Sequence, residues 1–208
     1  MKIRLAKPCD CESLAQLHFA SREEADVGFF SKTSKSFLKH YYKLMLNSNI
    51  FVALCVEDIN GRVVGFVTAS LDASKQFEYL HKNRFSLGIR LIPVFLKDIK
   101  LLREVILRYR STKGKNNERY VKTDGPRGEF WVWDSQCKNP VWSISLYRAH
   151  LQVLKALKVK NLYVEVDAKN ENVFKFHLRN GAVNTDIFQL PDGRARYELV
   201  YDLFTCVR

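Results

Sequence analysis

Between Glu129 and Ala182 the chain reads EFWVWDSQCKNPVWSISLYRAHLQVLKALKVKNLYVEVDAKNENVFKFHLRNGA, and this stretch limits the fold more than any other. The aromatic and β-branched run from Glu129 to Trp133 reads as a strand, followed by a loop and a long amphipathic helix. Leu162–Val166 is a second strand, and an Asn-bearing loop then leads to a short helix ended by Gly181. Two strands joined through a helix lie parallel, so the chain is committed to a sheet that is parallel in at least one place.

The flanking segments add antiparallel pieces. Ile3 and Leu5 alternate with Lys2 and Arg4 as a short strand, and Pro8 breaks it. Asp10 is placed to cap a helix carrying Leu14, Leu17 and Phe19, and Thr33 or Ser34 to cap another carrying Phe37, Leu38, Tyr41, Leu44 and Met45. Ile50–Val56 and Val63–Ala69 flank Asn60–Gly61, a hairpin signal in which Gly61 can take a positive φ. At the other end, Thr185–Gln189 and Ala195–Phe204 pair across the turn Pro191–Asp192–Gly193. The expected class is α/β (α+β), with one mixed sheet flanked by helices.

A length of 208 residues suits one domain with an insertion, expected here at about 74–127. That segment is basic and turn-rich at its end, and its apolar spacing predicts one helix from Val94 to Tyr109, started near Pro93. Thirty-four basic against 22 acidic residues leave +12, a field that attracts nucleic acid, phosphorylated cofactors, nucleotide-linked sugars or acidic lipid surfaces alike. The insertion lacks a nucleic-acid motif, which disfavours that partner, and the expected roles are a lid over a binding site or a homodimer contact. Five scattered cysteines argue for reduced thiols, and no metal site is expected. The chain lacks an apolar run of membrane-spanning length and its first residues are not a signal peptide, so a cytoplasmic protein is expected.

Taken together, the order of elements resembles the GCN5-related N-acetyltransferase (GNAT) family outside the basic segment. Its most specific part is NLYVEVDAKNENVFKFHLRNGA, which looks like the family's strand, Asn loop and terminal helix, with Asn170, Phe176–His177 and Asn180–Gly181–Ala182 in the corresponding places. The resemblance implies a mostly antiparallel twisted sheet, a coenzyme-binding core over 129–182, and acetyl-CoA as co-substrate. In the family the pantetheine arm runs between two splayed strands, here Glu129–Trp133 and Leu162–Val166. The pyrophosphate lies on the loop and helix start that follow the first of them.

That loop departs from the family. Its basic residue, glycines and small residue fall on Lys138, Asn139, Pro140, Val141, Trp142 and Ser143. Lys138 keeps the charge and Ser143 is a small donor. Pro140 removes an N–H, and Val141 is expected to resist a positive φ. Asn170 and the backbone of Trp131 to Trp133 complete the expected coenzyme contacts, the last lining the acetyl group. The resemblance puts His177 where the family often has a tyrosine that protonates the departing thiolate; the alternative is a surface histidine on an amphipathic helix. Glu129 is the preferred general base over Asp134, Glu23 and Glu24, each of which could instead be a solvated carboxylate, while Glu165 could be a buried ion-pair partner. The expected activity is acetyl transfer to a primary amine of a small anionic acceptor, such as a nucleotide-linked amino sugar. The rival is a non-catalytic module that binds a protein, nucleic acid or anionic surface.

Overall fold

A computed structural model describes residues 1–25, 29–96, 98–111, 121–137 and 139–206, without the side chains of 22–25, 108 and 111. The strands are β1 (Lys2–Leu5), β2 (Phe51–Glu57), β3 (Val63–Ser70), β4 (Arg127–Trp133), β5 (Asn161–Asp167), β6 (Val183–Gln189) and β7 (Ala195–Asp202). The helices are α1 (Cys11–Ala25), α2 (Lys35–Leu46), α3 (Ala73–Lys82), α4 (Arg84–Phe95), α5 (Ile99–Ser111), α6 (Pro140–Ala156), α7 (Glu171–Arg179) and α8 (Leu203–Cys206). The strands form one seven-stranded sheet in the order β1-β2-β3-β4-β5-β7-β6. Every neighbouring pair is antiparallel except β4 and β5, which flank the long helix α6 as a parallel pair. The mixed, mostly antiparallel sheet is the one expected.

A core lies on each face. Along β2, Val52, Leu54 and Val56 turn toward Leu146, Leu151 and Leu154 of α6, while Phe51, Ala53 and Cys55 turn toward Leu38, Tyr42 and Met45 of α2. This explains why β2 is one unbroken apolar run: both of its faces are buried. The Ser34 hydroxyl caps α2 by accepting from the Phe37 N–H at 3.2 Å, and Gly61 takes φ +75° in the hairpin turn. Asp10 is different from expectation. It sits in a one-turn 3-10 helix, accepts the Lys7 N–H and pairs with Arg4 at 2.7 Å, tying the start of α1 to β1.

The insertion corrects the sequence reading most. Among the described residues it holds three helices instead of one. Asp72 caps α3 through the Lys75 N–H. Pro93 lies in the last turn of α4, not at a helix start. A proline ring fits helical φ but deprives the Ile89 carbonyl of a partner, and α4 ends two residues later. Asp98 then accepts the N–H groups of Lys100 and Leu101 at the start of α5. Arg127 and Gly128, read as part of the loop, are the first residues of β4.

Candidate active site

The parallel pair at the centre of the sheet is barely a pair. Where β5 matches β7 over seven residues, its ladder with β4 among the described residues consists of Arg127 opposite Tyr163. Close approach there is set by Gly128, at which a Cβ would stand 3.2 Å from the Val164 side chain. One residue further on, β4 bulges: Ala69 faces Gly128 and Val67 faces Trp131, so Thr68 opposes both Glu129 and Phe130. The Thr68 hydroxyl accepts the Phe130 N–H that the ladder loses, at 3.1 Å. A bulge bends and over-twists its strand, and from this point β4 and β5 diverge. The backbone groups of Phe130 to Trp133 that face β5 therefore have no strand to bond.

On the α1–α3 side of β4, Glu129 is held by charge. Its side chain is 3% exposed, and Arg127 donates to it at 2.5 Å. The Tyr41 hydroxyl of α2 donates to its other oxygen at 3.0 Å, and burial beside that carboxylate raises the Tyr41 pKa. Arg127 also donates to Gln76 of α3 at 3.2 Å and to the Lys122 carbonyl at 3.1 Å, and it stacks over Phe77. Arg127, the last residue of the basic segment read from the sequence, is 8% exposed, at the centre of this network. Beside it Phe130 packs on His18, whose Nδ1 meets the Tyr42 hydroxyl at 2.7 Å.

The α6–α7 side is neutral and aromatic. The Trp131 ring lies 4.8 Å from both Tyr147 of α6 and Phe176 of α7. Its indole Nε1 is buried without a hydrogen-bond partner, which is uncommon for a buried donor. His177 is 2% exposed, so it is not the surface histidine of an amphipathic helix; its Nδ1 meets the Tyr201 hydroxyl at 2.7 Å. Burial pushes its pKa down to about 4. It is therefore uncharged at neutral pH, which corrects the expectation of a general acid tuned to that range.

The glycine-free loop proves to be mostly helix. Pro140 is the first residue of α6, so Val141, Trp142 and Ser143 lie in its opening turn, and the one described non-glycine residue with positive φ is Lys158. The strain expected at Val141 does not arise; its side chain points outward at 68% exposure. The Asn139 N–H bonds to the Cys137 carbonyl at 2.7 Å. By helix geometry the N–H groups of Val141 and Trp142 then remain without an intrahelical acceptor. Trp133 fixes the approach to this turn: its Nε1 donates to the same Cys137 carbonyl at 2.7 Å, and its ring occupies the space a Cβ on Gly65 would need. Lys138 lies outside the described residues.

The remaining candidates have structural partners. Asn170 caps α7 by accepting the Val173 N–H at 3.3 Å. Asp134 pairs with Arg62 at 3.1 Å, and Glu165 with Arg196 at 3.2 Å while also accepting the Lys122 N–H. Glu23 and Glu24 fall on α1, with side chains outside the description. The structure thus gathers Glu129, Trp131, Trp133 and His177 around the splay, with Asn139 to Ser143 at its α6 end. It adds Tyr41, Gln76, Arg127, Tyr147 and Tyr201. These lie far from the central unit or inside apolar runs, and only the pairing of Arg127 with Glu129 two residues on gave a local signal.

No protein-family model matches the chain, and no curated protein matches it in sequence. Its fold matches many solved structures. A variant of spermidine N-acetyltransferase SpeG from Vibrio cholerae matches at a TM-score of 0.61 and 10% identity, over 100% of this chain and 98% of that one. An aminoglycoside 6'-acetyltransferase type Ii matches at 0.59 and 11% identity, over 98% and 97%. Arabidopsis thaliana NAA60 in complex with a bisubstrate analogue matches at 0.56 and 14% identity, over 96% of each chain. At such identities the likeness is one of fold, and it runs nearly end to end.

Proposed function

On the GCN5-related N-acetyltransferase fold that this chain carries, we propose that it is an acetyl-CoA-dependent N-acetyltransferase acting on a primary amine of a small anionic acceptor. The observation that carries the reading is the splay: β4 and β5 are joined at one residue pair and then offer unbonded backbone to whatever lies between them. Two further features fit acetyl-CoA. The Val141 and Trp142 N–H groups at the start of α6 suit a pyrophosphate. The orphaned Trp131 Nε1, buried in a neutral aromatic wall, is a donor suited to an amide or thioester carbonyl.

The amine attacks the thioester carbonyl, a C–N bond forms, and the C–S bond breaks to release the thiolate. Glu129 is the proposed base. Because Tyr41 donates to it, the proton route runs through that hydroxyl, which passes its own proton to Glu129 as it takes one from the amine. Arg127 positions Glu129. His177 acts through Tyr201 and Tyr147 to hold the aromatic wall. The +12 charge favours an anionic acceptor such as a nucleotide-linked amino sugar.

The non-catalytic reading has one observation in its favour: the Trp131 and Phe176 rings pack at 4.8 Å on the wall of the splay, where they narrow it. Calorimetry with acetyl-CoA separates the two. Saturable binding, weakened by Trp131→Phe, is expected of the enzyme; no heat at about millimolar ligand overturns it.

A further inference from the structure

Helix α4 is apolar on two opposite sides. Leu87 and Leu91, 9% and 4% exposed, face inward. Phe85, Ile89, Ile92 and Leu96 stand 72%, 65%, 51% and 84% exposed. At about 100° per residue these four fall within a narrow stripe, roughly opposite Leu87 and Leu91. Ile99, the first residue of α5, is likewise exposed, at 71%. A helix that is apolar all round is normally buried or in contact with lipid. This one has a covered side and an uncovered side.

The charges around the stripe are one-sided. Residues 84–110 hold seven basic side chains (84, 90, 97, 100, 103, 108 and 110) and two acidic ones (98 and 104), a net of +5. The acidic Glu104 is already bonded to Lys32 at 3.0 Å. Arg84 and Arg90 flank the stripe on either side of α4. A second copy of this chain, docked stripe to stripe, would bring the same cations of a +12 molecule against each other. An anionic surface would meet them with the opposite sign. No described helix is long and apolar enough to cross a membrane, and at 12 residues α4 is suited to lying in the plane of one.

We propose that α4 and the start of α5 form an interfacial docking surface for an anionic lipid bilayer, with Phe85, Ile89, Ile92 and Leu96 entering the headgroup–acyl boundary and Arg84 and Arg90 meeting lipid phosphates. Apolar insertion and cationic attraction together give reversible attachment, which neither supplies well alone.

Flotation with phosphatidylcholine vesicles, with and without about one third phosphatidylglycerol, tests this. The full chain is expected to float with the anionic vesicles only, and less at about 0.5 M salt. Phe85→Ser, Ile89→Ser and Leu96→Ser combined should reduce binding about a hundredfold or more. Arg84→Gln with Arg90→Gln should reduce it about tenfold or more. Phe85, Ile89, Leu96 and Arg84 are exposed, while Arg90 is half-buried and donates to the Ser86 carbonyl at 2.6 Å. Circular dichroism and thermal unfolding of each variant separate lost docking from lost fold, and the triple substitution should leave both unchanged. Absence of flotation, or flotation that survives the triple substitution, overturns the proposal. So does a dimer in sedimentation velocity that the triple substitution dissolves, because the stripe would then belong to a second copy.

Discussion

β4 presents Glu129 and Phe130 to α1, α2 and α3, and Trp131 and Trp133 to α6 and α7, and the two sides achieve burial by different means. On the first, a carboxylate and a guanidinium are both taken out of water and depend on each other, with Tyr41 and Gln76 using their remaining lone pairs and protons. On the second, uncharged rings pack against one another, His177 meets the Tyr201 hydroxyl, and the Trp131 Nε1 is left without a partner. The bulge opposite Thr68 is what lets both arrangements begin within one residue of each other. A charged network is sensitive to removal of a partner, because the orphaned ion remains buried. An aromatic wall tolerates polar loss better and volume change worse. The charged side and the aromatic side are therefore distinguishable by mutation.

The largest effect is expected at Arg127→Ala, which strands Glu129: about 3–5 kcal/mol of stability in chemical denaturation. Replacing both partners by similar-sized apolar groups should restore most of that loss, and failure to do so would mean the network is not the source.

Acid should then unfold the protein through its neutral histidines. His18 and His177 are held down to about 4 by burial, against an ordinary 6.5. The unfolded chain takes up protons first, so this stability is full above about 6.5 and is lost as pH falls toward 4. The loss is on the order of 3 kcal/mol per histidine at the acid end. His177→Phe should flatten that part of the pH profile, and the Tyr201 hydroxyl keeps the backbone carbonyl of residue 177 as an acceptor, 3.4 Å away.

Gly65→Ala tests the shape-dependent side. A Cβ there would stand 2.2 Å from the Trp133 ring, so the ring must shift, at about 1–3 kcal/mol. Since Trp133 also fixes Cys137 before α6, coenzyme affinity should fall with stability. The smallest effect is Asn170→Ala, about 1 kcal/mol from the lost α7 cap. A drop in acetyl-CoA affinity without that stability loss would return Asn170 to the ligand contacts.

Much of the fold was legible because it rests on local rules. The hairpin turn at Gly61, the cap at Ser34 and the strand–helix–strand unit each announce themselves within a few residues. The insertion was not, because Pro93 is as compatible with a helix's last turn as with its first, and the apolar residues of α4 serve two opposite sides at once. The site was half legible. The positions of Glu129, Trp131 and Trp133 beside the splay follow from their place on the central strand, and the strain expected at Val141 is absent because a family loop was laid over residues that this chain winds into helix. Tyr41 and Tyr201 reach the site through tertiary packing, across separations in sequence that no local pattern encodes.

The central claim is that the gap between β4 and β5 receives acetyl-CoA. Hydrogen exchange read residue by residue, with and without the coenzyme, tests it most directly. Added protection is expected at Phe130 to Trp133 and at the first turn of α6, with β6 and β7 unchanged. No protection on β4, or protection confined to α4 and α5, would contradict it.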